Sequence, residues 1–112
     1  MQESIQQNDI WMVNLGQECS KGHEQKGTRP FYVISSTEYN TKSRTPVGFF
    51  MSTSFKKSQN RFTVKIDMQG VDEYINVSQI RTLSNLRFFK KIGYGTYEDL
   101  EKMLEKFNEV IL

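Results

Sequence analysis

Cysteine and histidine are each represented by one residue in this chain of 112 amino acids, Cys19 and His23. A single cysteine cannot form an intramolecular disulfide or a cysteine-cluster metal site, which agrees with a reducing compartment. A single histidine excludes the two-histidine ribonuclease mechanism and histidine-rich metal centres. Nucleophile-elbow and phosphate-loop motifs are also missing. The sequence therefore predicts no metal ion and no other cofactor.

Long apolar runs and a strong charge of one sign are missing as well. No run approaches the length of a membrane span, and the first eight residues lack the basic start and apolar core of a signal peptide. We therefore expect a soluble, cytoplasmic protein without a membrane partner. The 15 basic and 13 acidic residues give a net charge of +2, too small to attract nucleic acid over the whole surface. Any anion binding must be local.

Aromatic residues supply much of the apolar volume: eight Phe, five Tyr and one Trp are enough to help close a core in one domain spanning residues 1–112. Apolar runs and period-2 alternation predict short strands separated by turn residues. Strands at this spacing favour a small barrel. The predicted strands cover residues 10–15, 31–36, 47–54, 61–67, 74–77 and 79–83.

The C-terminal segment has a different period. Its apolar residues recur on one helical face, and Thr96 followed by Asp99 resembles a capping pair, so we predict a helix over residues 97–112. We expect residues 37–46 to be a surface connection, residues 84–87 a helical turn, and the aromatic residues of 87–91 to pack under the final helix. The predicted class is α+β. The apolar face consists of Leu100, Met103, Leu104, Phe107 and Ile111.

The most informative segment is the polar loop at residues 22–30, which has glycine near both ends and runs into the apolar residues 31–34. Pro30 and the following strand should hold Arg29 at the mouth of that strand. Cleavage of RNA by its own 2′-hydroxyl needs a base and a cation that stabilises charge on phosphorus oxygens. Glu24 and Arg29 could meet these needs, and an ordinary loop salt bridge is the alternative. His23 suits a proton shuttle or is simply solvated.

Hydroxyl groups close the third predicted strand, at Ser52, Thr53 and Ser54. One or two of them could donate hydrogen bonds to a phosphate, although hydroxyls at strand ends are also common turn formers. The cations beyond them could form a phosphate-contacting rim, and Phe55 could stack on a base of single-stranded RNA. A solvated loop explains the same residues. The rim would consist of Lys56, Lys57 and Arg61.

Four blocks of the sequence, residues 9–15, 22–36, 51–54 and 79–82, resemble in order and spacing the signature blocks of the MazF/PemK toxins of bacterial toxin–antitoxin pairs. The resemblance implies a small SH3-like, CcdB/MazF-type antiparallel β-barrel with a C-terminal amphipathic helix, and a homodimer. It also implies a sequence-specific, metal-independent endoribonuclease that cleaves single-stranded mRNA to 2′,3′-cyclic phosphate and 5′-hydroxyl ends. A cognate antitoxin would inhibit it by placing a flexible tail in the RNA groove.

Residue by residue, the resemblance places the catalytic arginine at Arg29, a strand-end threonine at Thr53 and a loop acid at Glu24. Met51 and Ser52 stand where the family usually has Pro-Ile, so the register of Thr53 is open by one residue and a neighbouring serine could share its role. Asn8 and Ser78 also depart from the pattern. The remaining candidates for RNA binding are His23, Gln25, Thr28, Ser52, Ser54, Lys56, Gln79 and Arg81.

Two alternative functions are compatible with the same fold but involve no nuclease activity. The related CcdB toxins resemble this barrel and poison DNA gyrase through a protein contact. An attenuated module would bind RNA or a peptide and release no product. The Arg29-Pro30 loop favours RNA cleavage over both.

Overall fold

The computed structural model describes residues 4–16, 27–53 and 60–112. Seven strands and two helices lie in these ranges, together with a 3-10 turn at Asn85–Arg87. Their class is α+β, as predicted. In chain order the elements are β1 (Asp9–Asn14), β2 (Thr28–Val33), α1 (Thr37–Ser43), β3 (Val47–Phe50), β4 (Thr63–Met68), β5 (Val71–Asn76), β6 (Arg81–Thr82), β7 (Phe88–Tyr94) and α2 (Tyr97–Val110).

Five strands form one antiparallel sheet in the order β6-β3-β2-β1-β7. Because β1 is an interior strand with apolar clusters on both faces of the sheet, its alternate side chains meet apolar partners on both faces, as its near-continuous apolar sequence predicted. Ile10 faces one cluster of buried residues, whereas Trp11 and Val13 face another. The sheet therefore separates two cores.

The strands β4 and β5 form a separate two-stranded hairpin with a turn at Gly70. An isolated bridge joins this hairpin to the end of β3, where the backbone N–H of Ser52 donates to the carbonyl of Tyr74 at 3.0 Å and the reverse bond measures 2.6 Å. Within the described ranges the ladder does not close into a continuous barrel. The hairpin instead leaves an opening beside β2, β3 and β6.

The two cores differ in composition. The helix-side core lies between the large sheet, the hairpin and α2, and it contains Ile10, Tyr32, Phe49, Met51, Val64, Ile66, Ile75, Val77 and Met103. The aromatic core lies on the other face and contains Ile5, Trp11, Val13, Phe31, Val33, Leu83 and Phe88. Its rings meet edge to face, with centroids 5.6 Å apart for Phe31 and Phe88 and 6.2 Å apart for Trp11 and Phe88.

Two glycines permit close approaches to Tyr32. A Cβ at Gly48 would overlap the carbonyl oxygen of Tyr32 on the neighbouring strand. A Cβ at Gly95 would overlap the Tyr32 hydroxyl and lie 2.6 Å from ring carbon Cε2. The hydroxyl donates to Asn8 Oδ1 at 3.1 Å, and Gly95 N donates to the carbonyl of the same asparagine at 2.8 Å. Both positions therefore require a residue without a side chain.

The segment 37–46, predicted to be a surface connection, contains the helix α1. Ser36 caps it by accepting from Tyr39 N at 3.1 Å, and Arg44 ends it in the left-handed region. Asn40 is buried and donates through Nδ2 to the carbonyl of Ile5 at 3.0 Å. The prediction was wrong because the polar residues of this segment form a helix, and because one of them, Asn40, is buried and bonds to the backbone of Ile5.

The prediction for residues 87–91 was also wrong, because residues 88–91 lie in β7, which pairs with β1 at the edge of the sheet, and not under the final helix. Phe88 is buried in the aromatic core, whereas Phe89 is exposed. Two register shifts between β1 and β7 interrupt the simple alternation that would have identified a strand. The predicted helical turn before it is confirmed, with Ser84 Oγ accepting from Leu86 N at 3.2 Å.

The predicted C-terminal helix is confirmed as α2, and Thr96 and Asp99 form the predicted capping box with two bonds of 3.0 Å. Leu100 and Met103 are buried, and Phe107 packs against the helix-side core. The other two residues of the predicted apolar face, Leu104 and Ile111, are exposed at 45% and 41%. No helix within residues 4–16, 27–53 or 60–112 is long and apolar enough to cross a membrane.

Candidate functional site

Arg29 and Arg81 open into one cavity of about 380 Å³, the arginine cavity, between the large sheet and the β4–β5 hairpin. The strand register explains why they meet. Phe31 pairs with Phe50, so Arg29, two residues before Phe31, projects on the same face as Phe50. Arg81 pairs with Gly48, two residues before Phe50, and projects on that face as well. Period-2 alternation thus brings two distant arginines together.

Both guanidinium groups lie over the ring of Phe50. The Cζ atom of Arg29 is 4.5 Å from the ring centroid, and that of Arg81 is 5.7 Å from it. Phe50 packs against Phe31. The two ring centroids are 5.2 Å apart, and the rings meet edge to face. The aromatic core therefore fixes the surface on which both cations rest.

The electrostatics of this pair are unfavourable without a ligand. Partial burial, and secondly the positive charge of Arg81, lower the pKa of Arg29 below its usual range. Arginine nevertheless stays protonated in proteins at neutral pH. Among the described residues that line the cavity none carries a carboxylate, and no described carboxylate forms an ion pair with either arginine. An anion bound between them would relieve both the repulsion and the lost hydration.

Three residues with hydroxyl groups also line the cavity, namely Ser52, Thr63 and Tyr74. Ser52 follows Phe50 by two residues and so shares its face, while the isolated bridge sets it opposite Tyr74. Thr63 pairs with Asn76, which follows Tyr74 by two residues, and these three side chains share one face of the hairpin. The described lining thus combines two cations with three residues that carry hydroxyl groups.

Side-chain amides complete the described lining, at Asn60, Asn76 and Gln79. Asn76 Oδ1 accepts from the backbone N–H of Ser78 at 2.9 Å and from its hydroxyl at 2.6 Å. Asn60 Oδ1 accepts from Phe62 N at 2.7 Å. These turns fix which end of each amide faces the protein, because a backbone N–H can only donate.

The structure brings together four of the predicted site residues that it describes, namely Arg29, Ser52, Gln79 and Arg81. Thr28 lies at the exposed start of β2, and Thr53 is exposed and is not among the described residues that line the cavity. The predictions for Glu24, His23, Gln25, Ser54 and Lys56 fall outside the described residues, as do those for Phe55 and Lys57.

Sequence reasoning missed five residues of the cavity. Phe50 was assigned to a strand without a role in the site, and the hairpin residues were assigned to strands or a loop. Alternation within the hairpin does place three of them on one face, but only long-range packing shows that this face meets the arginines. The missed residues are Phe50, Asn60, Thr63, Tyr74 and Asn76.

Comparison with solved structures supports the fold. The chain superposes on MazF from Deinococcus radiodurans with a TM-score of 0.78 at 20% identity, covering 98% of each chain. It superposes on an endoribonuclease from a mycobacterial species, solved in complex with its cognate antitoxin, with a TM-score of 0.75 at 16% identity, covering 96% and 94%. At these identities the likeness concerns the fold, and it confirms the predicted α+β architecture.

Sequence comparison identifies the family. The chain is 35% identical over 69 residues to Endoribonuclease PemK of Escherichia coli, a match that covers 60% of this chain and 50% of that protein. The chain thus spans about half the length of the curated relative it matches. A profile of the PemK-like, MazF-like toxins of type II toxin–antitoxin systems matches residues 6–111. The chain therefore belongs to the PemK-like, MazF-like toxin family.

Proposed function

We propose that this chain is a toxin endoribonuclease that cleaves single-stranded RNA at short sequence motifs without a metal ion. The observation that carries the proposal is the arrangement of Arg29 and Arg81 over Phe50, in a cavity whose described lining holds hydroxyls and amides but no carboxylate. A phosphodiester supplies the anion that this arrangement lacks. The name of the E. coli relative, an endoribonuclease, supports the same activity.

The reaction is an internal displacement at phosphorus. The 2′-oxygen attacks the adjacent phosphorus and loses its proton to a base, for which Glu24 is our candidate. The bond to the 5′-oxygen breaks, and that oxygen takes up a proton, leaving a 2′,3′-cyclic phosphate and a 5′-hydroxyl. Negative charge grows on the non-bridging oxygens between these events. We expect Arg29 to donate hydrogen bonds to these oxygens, and its partly desolvated position, where such bonds are strong, supports that role.

A hydroxyl donor complements the arginine. Ser52 lines the cavity, and Thr53 is the position that the family resemblance assigns. We propose that one of these adjacent hydroxyls contacts the reacting phosphate. Arg81 and Gln79 would bind the flanking RNA, and the loop residues His23, Gln25, Thr28, Ser54 and Lys56 would extend that contact.

We also propose that the chain acts as a cytoplasmic homodimer controlled by a cognate antitoxin. The fold neighbour from a mycobacterial species was solved with its antitoxin, which supports a protein partner of this kind. Two guanidinium groups without a described counter-ion would bind a carboxylate-bearing antitoxin segment in competition with RNA.

The test incubates the purified chain, in excess chelator, with mixed-sequence single-stranded RNA and with the same sequences carrying 2′-deoxy sugars. We expect cleavage of the RNA alone, with cyclic phosphate and 5′-hydroxyl ends identified by mass spectrometry. Cleavage of both substrates, or of neither, contradicts the 2′-hydroxyl mechanism. Inhibition of DNA gyrase in a supercoiling assay, without RNA cleavage, would instead support a CcdB-like toxin.

The hydroxyl assignment is tested by Ser52→Ala, Thr53→Ala and the double variant. We expect the double variant to lose at least about tenfold in cleavage rate, because a hydrogen bond to the transition-state phosphate is removed. The single variants show which hydroxyl supplies it. Thr45→Ala, in the connection between α1 and β3, is the control. Full activity in the double variant would contradict the assignment.

A further inference from the structure

The amide groups of the arginine cavity carry information about the ligand beyond its charge. Asn76 Oδ1 already accepts two hydrogen bonds, from the backbone N–H and the hydroxyl of Ser78, which uses both of its lone pairs. Its amino group, Nδ2, donates to none of the described residues. Asn76 can therefore act toward a ligand only as a donor.

Asn60 is restricted in part, since one of the two lone pairs of its Oδ1 accepts from Phe62 N and its Nδ2 has no described acceptor. Arg29 and Arg81 are donors by nature. Gln79 is the one amide of the described lining whose oxygen is not used within the described protein. The cavity thus presents a strongly donor-biased surface.

Donor bias discriminates between nucleobases. Adenine carries its exocyclic amino group at N6 and cytosine at N4, whereas that of guanine lies at N2 on another edge of the base. The N6 or N4 group needs an acceptor, and an asparagine normally reads adenine by offering its oxygen to N6. Asn76 cannot do so, because its oxygen is occupied. Guanine and uracil carry a carbonyl oxygen at the corresponding position, and an arginine pairs with the O6 and N7 acceptors of guanine.

Resting on the proposed function, we infer that the arginine cavity is a subsite for a keto base, guanine or uracil, next to the phosphate held by Arg29. Its volume of about 380 Å³ suits a single nucleotide and not a length of strand. Phe50 and Tyr74 supply aromatic surface for the base, while the donors of Asn60 and Asn76 meet its carbonyl oxygens. Sequence preference would then come partly from the β4–β5 hairpin and the turns at its ends.

The test measures binding separately from cleavage, using short single-stranded oligonucleotides in which fluorine replaces every 2′-hydroxyl. These lack the proposed nucleophile, so affinity can be measured by fluorescence anisotropy while each position in turn is varied among the four bases. We expect guanine or uracil at one position to bind at least about tenfold more tightly than adenine or cytosine. Comparing guanine with uracil identifies which keto base the site takes.

The decisive variant is Asn76→Asp, which keeps an oxygen for Ser78 and replaces the amino donor with an acceptor. We expect this variant to lose the preference for guanine or uracil, or to prefer adenine or cytosine instead. Asn108→Asp, exposed on α2, makes the same charge change away from the cavity and should keep the preference. Asn60→Asp repeats the test at a second turn if Asn76→Asp does not fold by circular dichroism.

A wild-type chain without base preference overturns the inference, as does an equal loss for all four bases in both folded aspartate variants. These outcomes are independent of the nuclease assignment. If the all-ribose RNA is not cut but the keto preference and its reversal are observed, the subsite stands and the endoribonuclease proposal fails. If RNA is cut but no keto preference is observed, the endoribonuclease proposal stands and the subsite inference fails.

Discussion

Among the described residues, Asp9 and Arg29 each carry a charge that is withdrawn from water, and their surroundings are opposite in kind. Asp9 is 2% exposed, and its carboxylate accepts from Gln6 N at 2.8 Å and Trp11 Nε1 at 3.0 Å and pairs with Lys91 Nζ at 3.2 Å. Arg29 instead shares a cavity with a second cation. The first charge is paired within the protein, whereas none of the described residues gives Arg29 a counter-ion.

The comparison separates structural from functional charge. The carboxylate of Asp9 links β1 to β7, and its hydrogen bonds and its ion pair are all made within the protein. Two arginines with unmet hydrogen-bonding capacity cost folding free energy, and that cost is recovered on binding an anion. Substitution of Asp9 should therefore lower stability and leave activity unchanged, whereas substitution of Arg29 should lower activity and leave stability nearly unchanged.

The largest effect is expected for Arg29→Ala, which should lower the rate of RNA cleavage by about 10²–10³ because transition-state charge loses its donor. The free energy of unfolding should change by less than about 1 kcal/mol, since lost packing on Phe50 is offset by relief of repulsion. Cleavage kinetics and urea unfolding measure the two quantities. A large loss of stability with unchanged cleavage by the folded fraction would mean that Arg29 is structural.

Asp9→Ala should show the reverse pattern. It leaves Trp11 Nε1 and Gln6 N without an acceptor and Lys91 without its partner, which should lower the free energy of unfolding by about 3 kcal/mol. Cleavage per folded molecule should not change. Asp9→Asn, which keeps an acceptor oxygen, should lose less. Urea unfolding gives the stability, and a wild-type unfolding curve for Asp9→Ala would contradict this account of the buried carboxylate.

Arg81→Ala sharpens the contrast by removing the second cation. Sulfate at about ten times its dissociation constant should stabilise the wild type by about 1.4 kcal/mol, relative to chloride at equal ionic strength. The variant should show a much smaller effect, measured as the shift in melting temperature. Lys42→Ala, which removes an exposed cation from α1, should behave as the wild type. An equal sulfate effect in all three chains would show that the arginine cavity binds no anion.

Glu73 is a further partly buried charge, and we expect its substitution to have a smaller effect on stability. Its Oε1 is buried with no hydrogen-bond partner among the described residues, and burial raises the pKa of its carboxyl. The folded chain then binds a proton more tightly than the unfolded chain, so this residue lowers stability as pH rises from about 4.3 through the folded pKa. Because the group is partly exposed, Glu73→Gln should gain only about 0.5 kcal/mol at pH 7.

That gain should vanish near pH 3, where the carboxyl is protonated in both states. Thermal unfolding of the two chains across this range measures the difference. A constant difference at all pH values would indicate that the glutamine acts through packing and not through charge.

Much of this arrangement was readable from the sequence. The alternation of Val64 and Ile66 predicted β4, and the Thr96 and Asp99 pair predicted the start of α2. The apolar run after Pro30 predicted β2, although this strand begins at Thr28, so that Arg29 lies within it and not at the end of a loop. These signals are local, and local patterns directly determine strand faces and helix caps.

What the sequence did not show depends on long-range register. β7 was missed because irregular pairing with β1 interrupts its alternation, and α1 was missed because its seven residues are mostly polar. The hairpin wall of the cavity was missed because nothing near Tyr74 or Asn76 indicates that their face turns toward Arg29. The donor bias of Asn76 likewise depends on a turn made by Ser78, which only coordinates reveal.

The two glycines packed against Tyr32 have a consequence for genetics. A growth-based selection for inactive variants would recover substitutions at Gly48 and Gly95 together with those at Arg29, although neither glycine lines the cavity. Bulkier residues there would deplete the cell of soluble chain, whereas changes at the arginine would leave its abundance intact. Immunoblots of the recovered clones would sort the two groups.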